Sequence, residues 1–235
     1  MSKQRGTHER ESESTRYYTV NDGKFVRRVK DPNAKTKERI LEKGANAGKV
    51  VYEEQYSSIV GRLIEIKQDQ SKEKINGAFL KNWVFVLDTT DDKGISKAVI
   101  NTPFSSGYSS GILFCLPNIN LNDDVEIAPW KLHDKEKNKD IFGISVYQDG
   151  KKINRAFSKE QPGKLPPLEK VMFKGEEKWD DTKQINFLTD VLVPEYNGKL
   201  KALYGDSQST HDDHSHQEIN KDFPDATEKG KDLPF

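Results

Sequence analysis

Between Asp123 and Gly150 the chain reads DDVEIAPWKLHDKEKNKDIFGISVYQDG, and this stretch decides the fold. Val125 and Ile127 share one face, while Ala128, Trp130 and Leu132 share the other. A period of two marks a half-buried strand. Pro129 has no N–H to give to a ladder, so an edge or a bulge is expected there. His133 to Asp140 is a charged loop. Ile141 to Tyr147 is the next strand, with Phe142, Ile144 and Val146 on one face and Tyr147 on the other. Asp149-Gly150 is a strong type I′ turn signal, because both central positions need positive φ. Lys151 to Phe157 is expected to return as the last strand of that hairpin.

Upstream, the dense β-type sequence begins at Val51. Tyr52 to Lys67 reads as a long first strand whose inward set switches near Gly61, where glycine suits a bulge or bend. Residues 68–78 are a polar loop. Trp83 to Asp88 is the second strand, Asp91-Asp92-Lys93-Gly94 a tight connection, and Ile95 to Asn101 the third strand. Pro103 to Asn120 is an insert with Gly107, Gly111 and an apolar patch at Ile112 to Leu116. Five strands with a long insert after the third have the count and order of a small closed barrel of the OB type, where such an insert caps one end. The fold class expected is therefore mainly β, a five-stranded OB-type barrel over residues 51–157.

The flanks differ from this core. Residues 1–16 are polar and charged and are read as a disordered arm. Tyr17 to Val29, around Asn21-Asp22-Gly23, is a hairpin that pairs against the barrel. Lys35 to Lys43 reads as a short, weak helix, and Gly44 and Gly48 as a loop. Gln161 to Pro167 is a proline-rich break. Ile185, Leu188 and Leu192 then fall on one face of a helix over about 181–193, started near Asp180-Asp181-Thr182 and stopped by Pro194. The folded domain is expected over 17–200, and residues 201–235 as a disordered acidic tail.

Of 235 residues 33% are hydrophobic and 32% charged, so one globular domain with polar ends is expected. The net charge of zero hides an asymmetry. Residues 1–50 hold 13 Lys and Arg against 7 Asp and Glu, whereas residues 206–235 hold 3 against 8. A basic front and an acidic tail suit a protein that touches polyanions and controls the contact. Cys115 is alone, which excludes an internal disulfide and a cysteine zinc site. The longest apolar run, Ile112 to Leu116, is too short to span a bilayer, and a cytoplasmic protein with no membrane contact is expected.

Aromatic and basic residues interleave on the strands. Rings stack on unpaired bases whatever their identity, and Lys and Arg neutralise phosphates. The candidate contacts are Lys24, Arg27, Arg28, Tyr56, Arg62, Trp83, Lys97, Trp130, Lys131, Tyr147, Lys151, Lys152 and Arg155. Trp83 shares parity with Phe85 and Leu87, a pattern that suits the core equally well. The second constellation is the C-terminal tip, Asp232-Leu233-Pro234-Phe235. Leu233 and Phe235 suit a small pocket on a partner, with the terminal carboxylate pairing to Arg or Lys.

That tip resembles the ending of bacterial single-stranded DNA-binding proteins, Asp-Ile-Pro-Phe after an acidic stretch. Asp123 to Trp130 together with Ile144 to Lys151 is similar in pattern to phage-encoded single-stranded DNA-binding proteins. The resemblance implies coating of single-stranded DNA in replication, recombination and repair. It also implies recruitment of a polymerase, helicase or primase, or recombinase through Leu233, Pro234 and Phe235, in the host cytoplasm if the protein is phage-encoded. Bacterial members begin their barrel near residue one, whereas residues 1–50 precede it here, and the tail here holds histidines. These departures point to a monomer or dimer rather than the family's tetramer.

Catalysis finds no motif: no phosphate-cradling glycine loop with its lysine, no nucleophile elbow, no paired zinc-ligand helix. Asp88, Asp91 and Asp92 suit a charged turn better than a nuclease metal site, and His211 to His216 sits in a tail without other ligands. No enzyme activity, cofactor or metal is expected. The competing expectation is a non-catalytic interaction or structural phage component built on a β-barrel.

Overall fold

The computed structural model describes residues 14–41, 47–75, 78–89, 96–158, 162–173 and 175–205. From the N-terminus come β1 (Ser14–Asn21), β2 (Lys24–Val29), β3 (Thr36–Ile40) and β4 (Val50–Tyr56). Next are β5 (Ile59–Ile75), β6 (Ala78–Asp88), β7 (Ser96–Pro103), helix α1 (Gly107–Leu113) and a 3-10 turn (Leu116–Asn118). β8 (Val125–Asp134), β9 (Lys139–Gln148) and β10 (Lys151–Lys152) follow, then a separate hairpin of β11 (Glu169–Phe173) and β12 (Glu176–Asp180). The described chain ends in a helical stretch: α2 (Thr182–Phe187), a π turn (Leu188–Leu192) and α3 (Val193–Tyr204).

The molecule is mainly β, as its sequence predicts. Its first ten strands form one mixed sheet, in the order β10-β9-β8-β5-β6-β7-β1-β2-β4-β3. The sheet is open, which corrects the expected closed five-stranded barrel. Closure would need β9 to pair with β7. Instead β7 pairs in parallel with β1, with Tyr18 opposite Ile100. α1 packs against β9, and a Cβ on Gly111 would stand 2.6 Å from the Ile144 carbonyl oxygen. Gly107, four residues earlier on the same helix face, approaches the Phe142 carbonyl in the same way. Helix backbone thus lies directly on strand backbone. β1 thus takes the side of β7, and α1 packs on β9, the two strands that closure would join.

Both hairpin turns fall where the sequence expects them. Asp22 and Gly23 have φ of 49° and 73°, and Asp149 and Gly150 of 49° and 71°, the positive values a type I′ hairpin needs. Pro129 lies on β8 beyond Ile127, the last residue that β8 pairs with β5, so its missing N–H interrupts no ladder there. Other expectations are corrected. Thr36–Ile40 is a strand, not part of a helix: cross-strand contacts such as Arg39 to Glu53, 2.6 Å, outweigh local propensity. The expected strand over Tyr52 to Lys67 is two, since β4 pairs with β2 and β3 while β5 pairs with β6 and β8. The polar stretch 68–78 extends the β5–β6 ladder as far as Ile75 opposite Ala78. The inward set of β5 changes at Ile64, where the register shifts between Leu63 and Glu65, rather than at Gly61. Gly61 marks instead the hand-over of β5 from β8 to β6. After Gly150 the ladder ends at Lys152, although the Ile153 N–H still donates to Val146 at 2.8 Å. Pro194 does not end the C-terminal helix, which runs on to Tyr204. The π turn before it, with the Val193 N–H on the Leu188 carbonyl, gives room to a ring that clashes in a regular α-helix and has no N–H to offer. Of the arm read over 1–16, residues 14–16 belong to β1, which corrects that reading, and residues 1–13 lie outside the described residues, as do the connection at 90–95 and the tail with its histidines and tip.

Trp83, Phe85 and Leu87 face the main core with Leu113, Leu116, Ile127 and Val146. Val84, Val86 and Val99 form a smaller cluster on the opposite face with Tyr17 and Ile64. Leu188, Leu192, Val193, Tyr196 and Leu200 bring the C-terminal helix into the main core. Asn197 acts there as a surrogate strand: its Oδ1 accepts the Ile66 N–H at 3.0 Å and its Nδ2 donates to the Ile66 carbonyl at 2.6 Å. That satisfies the edge of β5 that β8 leaves after Gly61.

Candidate nucleic-acid interface

Trp130 on β8 stands opposite Gly143 on β9. A Cβ on Gly143 would lie 2.8 Å from Cε2 of the indole, so the ring lies over the one residue type without a side chain. The half-buried indole lines a cleft of ≈ 310 Å³ between β8–β9, the start of α1, and α2. Leu132 and Ile141, the next cross-strand pair but one, extend its apolar lining, as do Phe142 and Phe104. Phe104 is itself stacked on Trp83, centroids 5.0 Å apart. Arg155, Asp181, Gln184 and three serines supply the polar part. A half-exposed indole, apolar walls and a guanidinium suit a planar ring joined to an anion, the two halves of a nucleotide.

The structure thus brings Trp130 and Arg155 together and sends the other predicted residues elsewhere. Trp83 is 1% exposed and belongs to the core, so it is no stacking platform. Arg27 reaches Glu54 at 2.7 Å, and the buried Glu54 also accepts from Tyr56 at 2.5 Å and Asn33 at 2.9 Å. The Tyr56 and Asn33 bonds, with Arg27 behind them, hold Glu54 down to about 2, whereas burial and the Glu54 bond push Tyr56 up to about 12. Arg28 lies 3.7 Å from Glu53, which Arg39 also engages. Arg27, Arg28 and Tyr56 therefore hold β2, β3 and β4 together, and their reading as DNA contacts is corrected. The sequence shows these cations but not the buried carboxylates that face them.

Lys131 bridges Asp22 at 2.6 Å and Asp140 at 2.9 Å, and those bonds raise its pKa. With the Gly23 N–H donating to the Tyr108 hydroxyl at 3.1 Å, it fastens the β1–β2 turn onto β8. Lys97 stands opposite Asp88 in the β6–β7 ladder. Arg62 and Tyr147 share a second groove, ≈ 410 Å³, whose rim holds Asp123, Asp124, Glu126 and Asp149. Arg62 lies 3.7 Å from Asp124, and those four carboxylates repel phosphate. Lys152 is the cross-strand neighbour of Tyr147. Lys24, Lys151, Lys152 and Arg155 are exposed cations.

Sequence reasoning missed Phe104 and Asp181 in the cleft, because Phe104 lies in the stretch read as an insert and Asp181 was read only as part of a helix start. It also missed Trp179, 61% exposed on the β11–β12 hairpin with the Lys170 ammonium 5.3 Å from its ring centroid. Burial pushes the Cys115 thiol up to about 11, the state of an inert core cysteine. Among the described residues no three His, Cys, Asp or Glu side chains are grouped to hold a metal, and no helix is long and apolar enough to cross a membrane. The partner-docking residues Asp232, Leu233, Pro234 and Phe235 lie outside the described residues. No family model, curated protein or solved structure matches the chain.

Proposed function

We propose that the chain is a single-stranded DNA-binding protein that coats unpaired DNA in replication, recombination and repair. It is non-catalytic and recruits partner enzymes through its C-terminal tip. The observation that carries this reading is the cleft in which Trp130 and Arg155 stand together. It is supported by the succession β5-β6-β7-α1-β8-β9, in which β5 pairs with both β6 and β8. We read that succession as an OB-type barrel opened between β7 and β9, with α1 in the place of the capping helix. A base stacks on Trp130, Arg155 takes its phosphate, and the exposed Lys151, Lys152 and Lys24 take phosphates further along. At the tip, Leu233, Pro234 and Phe235 dock in a partner's pocket, and Asp232 and the terminal carboxylate meet basic groups.

Titration of oligothymidylate, followed by tryptophan fluorescence, tests the reading. Quenching is expected, with an affinity that falls steeply as salt rises. Trp83 is buried and Trp179 lies on the separate hairpin, so the quench comes chiefly from Trp130. Trp130→Ala should weaken binding about tenfold, the loss of one stacked base. No binding in dilute buffer would overturn the reading. It would favour a non-catalytic interaction or structural component, to which the exposed Trp179 and Met172 and the acidic rim beside Tyr147 are suited.

A further inference from the structure

We infer that the Trp130 cleft discriminates among bases, holding one that carries an exocyclic amino group better than thymine; this rests on the single-strand reading above and names what its cleft takes. The polar wall of the cleft is biased toward acceptors. Asp181 receives the Ser105 hydroxyl on Oδ2 at 2.6 Å, and its side chain caps no N–H of α2. Among the described residues its Oδ1 is committed to nothing. Gln184, 7% exposed, gives one Nε2 hydrogen to the Pro166 carbonyl at 2.9 Å, and among the described residues no donor meets its Oε1. The hydroxyl donors are already used: Ser105 on Asp181, Ser106 on the Pro103 carbonyl, Ser110 on the Gly107 carbonyl. The one cation among the lining residues, Arg155, is the exposed partner for phosphate.

A carboxylate and an amide oxygen accept and cannot donate. An exocyclic amino group has two N–H bonds for two acceptors. Cytosine and adenine carry one such group on the pairing edge, and guanine carries one beside a ring N–H. Thymine presents a single N–H between two carbonyl oxygens, and the carboxylate repels both. Apolar residues make up much of the lining, so this repulsion is screened less in the cleft than on an open strand.

The test compares oligodeoxycytidylate with oligothymidylate of equal length, at slightly alkaline pH where cytosine does not self-pair. The full chain is titrated against each labelled strand by fluorescence anisotropy. About fivefold tighter binding of the cytidylate is expected, the worth of one net hydrogen bond. Asp181→Asn keeps the size and the acceptor for Ser105 but sets an amide donor where the second oxygen was. It should bring the ratio to parity or reverse it, and Asp181→Ser, which adds no amide, should bring it to parity. Thermal melts followed by circular dichroism confirm that both variants fold. Equal affinities in the unaltered chain, or a ratio that Asp181→Asn leaves in place, would sink the inference while the single-strand reading stands. Failure of both strands to bind would sink both.

Discussion

Glu54 shows what a single side chain contributes to the N-terminal strands. It is 6% exposed and accepts hydrogen bonds from Arg27, Asn33 and Tyr56. Those bonds lower its pKa from 4.5 to about 2. A depressed folded-state value means the stabilisation is complete above the unfolded value and is lost as pH falls through the folded one. The β2–β4 region should therefore weaken between pH 4.5 and about 2, seen as a falling urea midpoint. Glu54→Gln should flatten that limb and cost about 3 kcal/mol at neutral pH, because Arg27 loses its partner in a half-buried site. An unchanged midpoint would show that the cluster carries no stability. The same residues mark a limit of sequence reading. Glu53 and Glu54 are neighbours in the chain, yet alternation sends them to opposite faces of β4, Glu54 toward Arg27 and Glu53 toward Arg28 and Arg39. Nothing local names those cations, so Arg27 and Arg28 look available when they are not.

Among the elements, the edge of β5 is the place where one residue stands in for a strand. Asn197 gives both halves of its amide to Ile66. Asn197→Ala leaves a buried N–H and carbonyl unpaired and should cost about 2 kcal/mol. Hydrogen exchange at the Ile66 amide should quicken more than at Phe85, its cross-strand neighbour on β6. Equal exchange at both positions would mean that α3 adds nothing to that edge. Elements whose information is local were legible: the two type I′ turns, the alternation of β8 and β9, the helical face of Leu188 and Leu192. Elements whose existence depends on a distant partner were not. β3 is a strand because β4 lies beside it, and the helix passes Pro194 because a π turn precedes it.

On the scale of the whole molecule, charge is distributed along the chain as the proposed function needs. Residues 1–50 are net positive and residues 206–235 net negative. On that proposal the acids of the tail would compete with phosphate for the same cations. Deleting residues 232–235 should leave or raise affinity for single-stranded DNA and abolish capture of a replication or repair enzyme. Paired titrations and pull-downs with full-length and truncated chains measure both. Lower DNA affinity after the deletion would count against a recruiting tip.

The sequence by itself determined that this is mainly a β protein, where its hairpins turn, and that a ring on β8 and cations from Lys151 to Arg155 follow one another in one stretch. Such features are set by alternation and turn chemistry within a few residues. Only the tertiary structure decided that the sheet stays open, with β1 beside β7, and that Trp130, Arg155 and Asp181 line one cleft while Arg27, Arg28 and Lys131 are bound to carboxylates. The physical reason is that a strand's pattern shows which way its side chains point, but not which strand lies beside it.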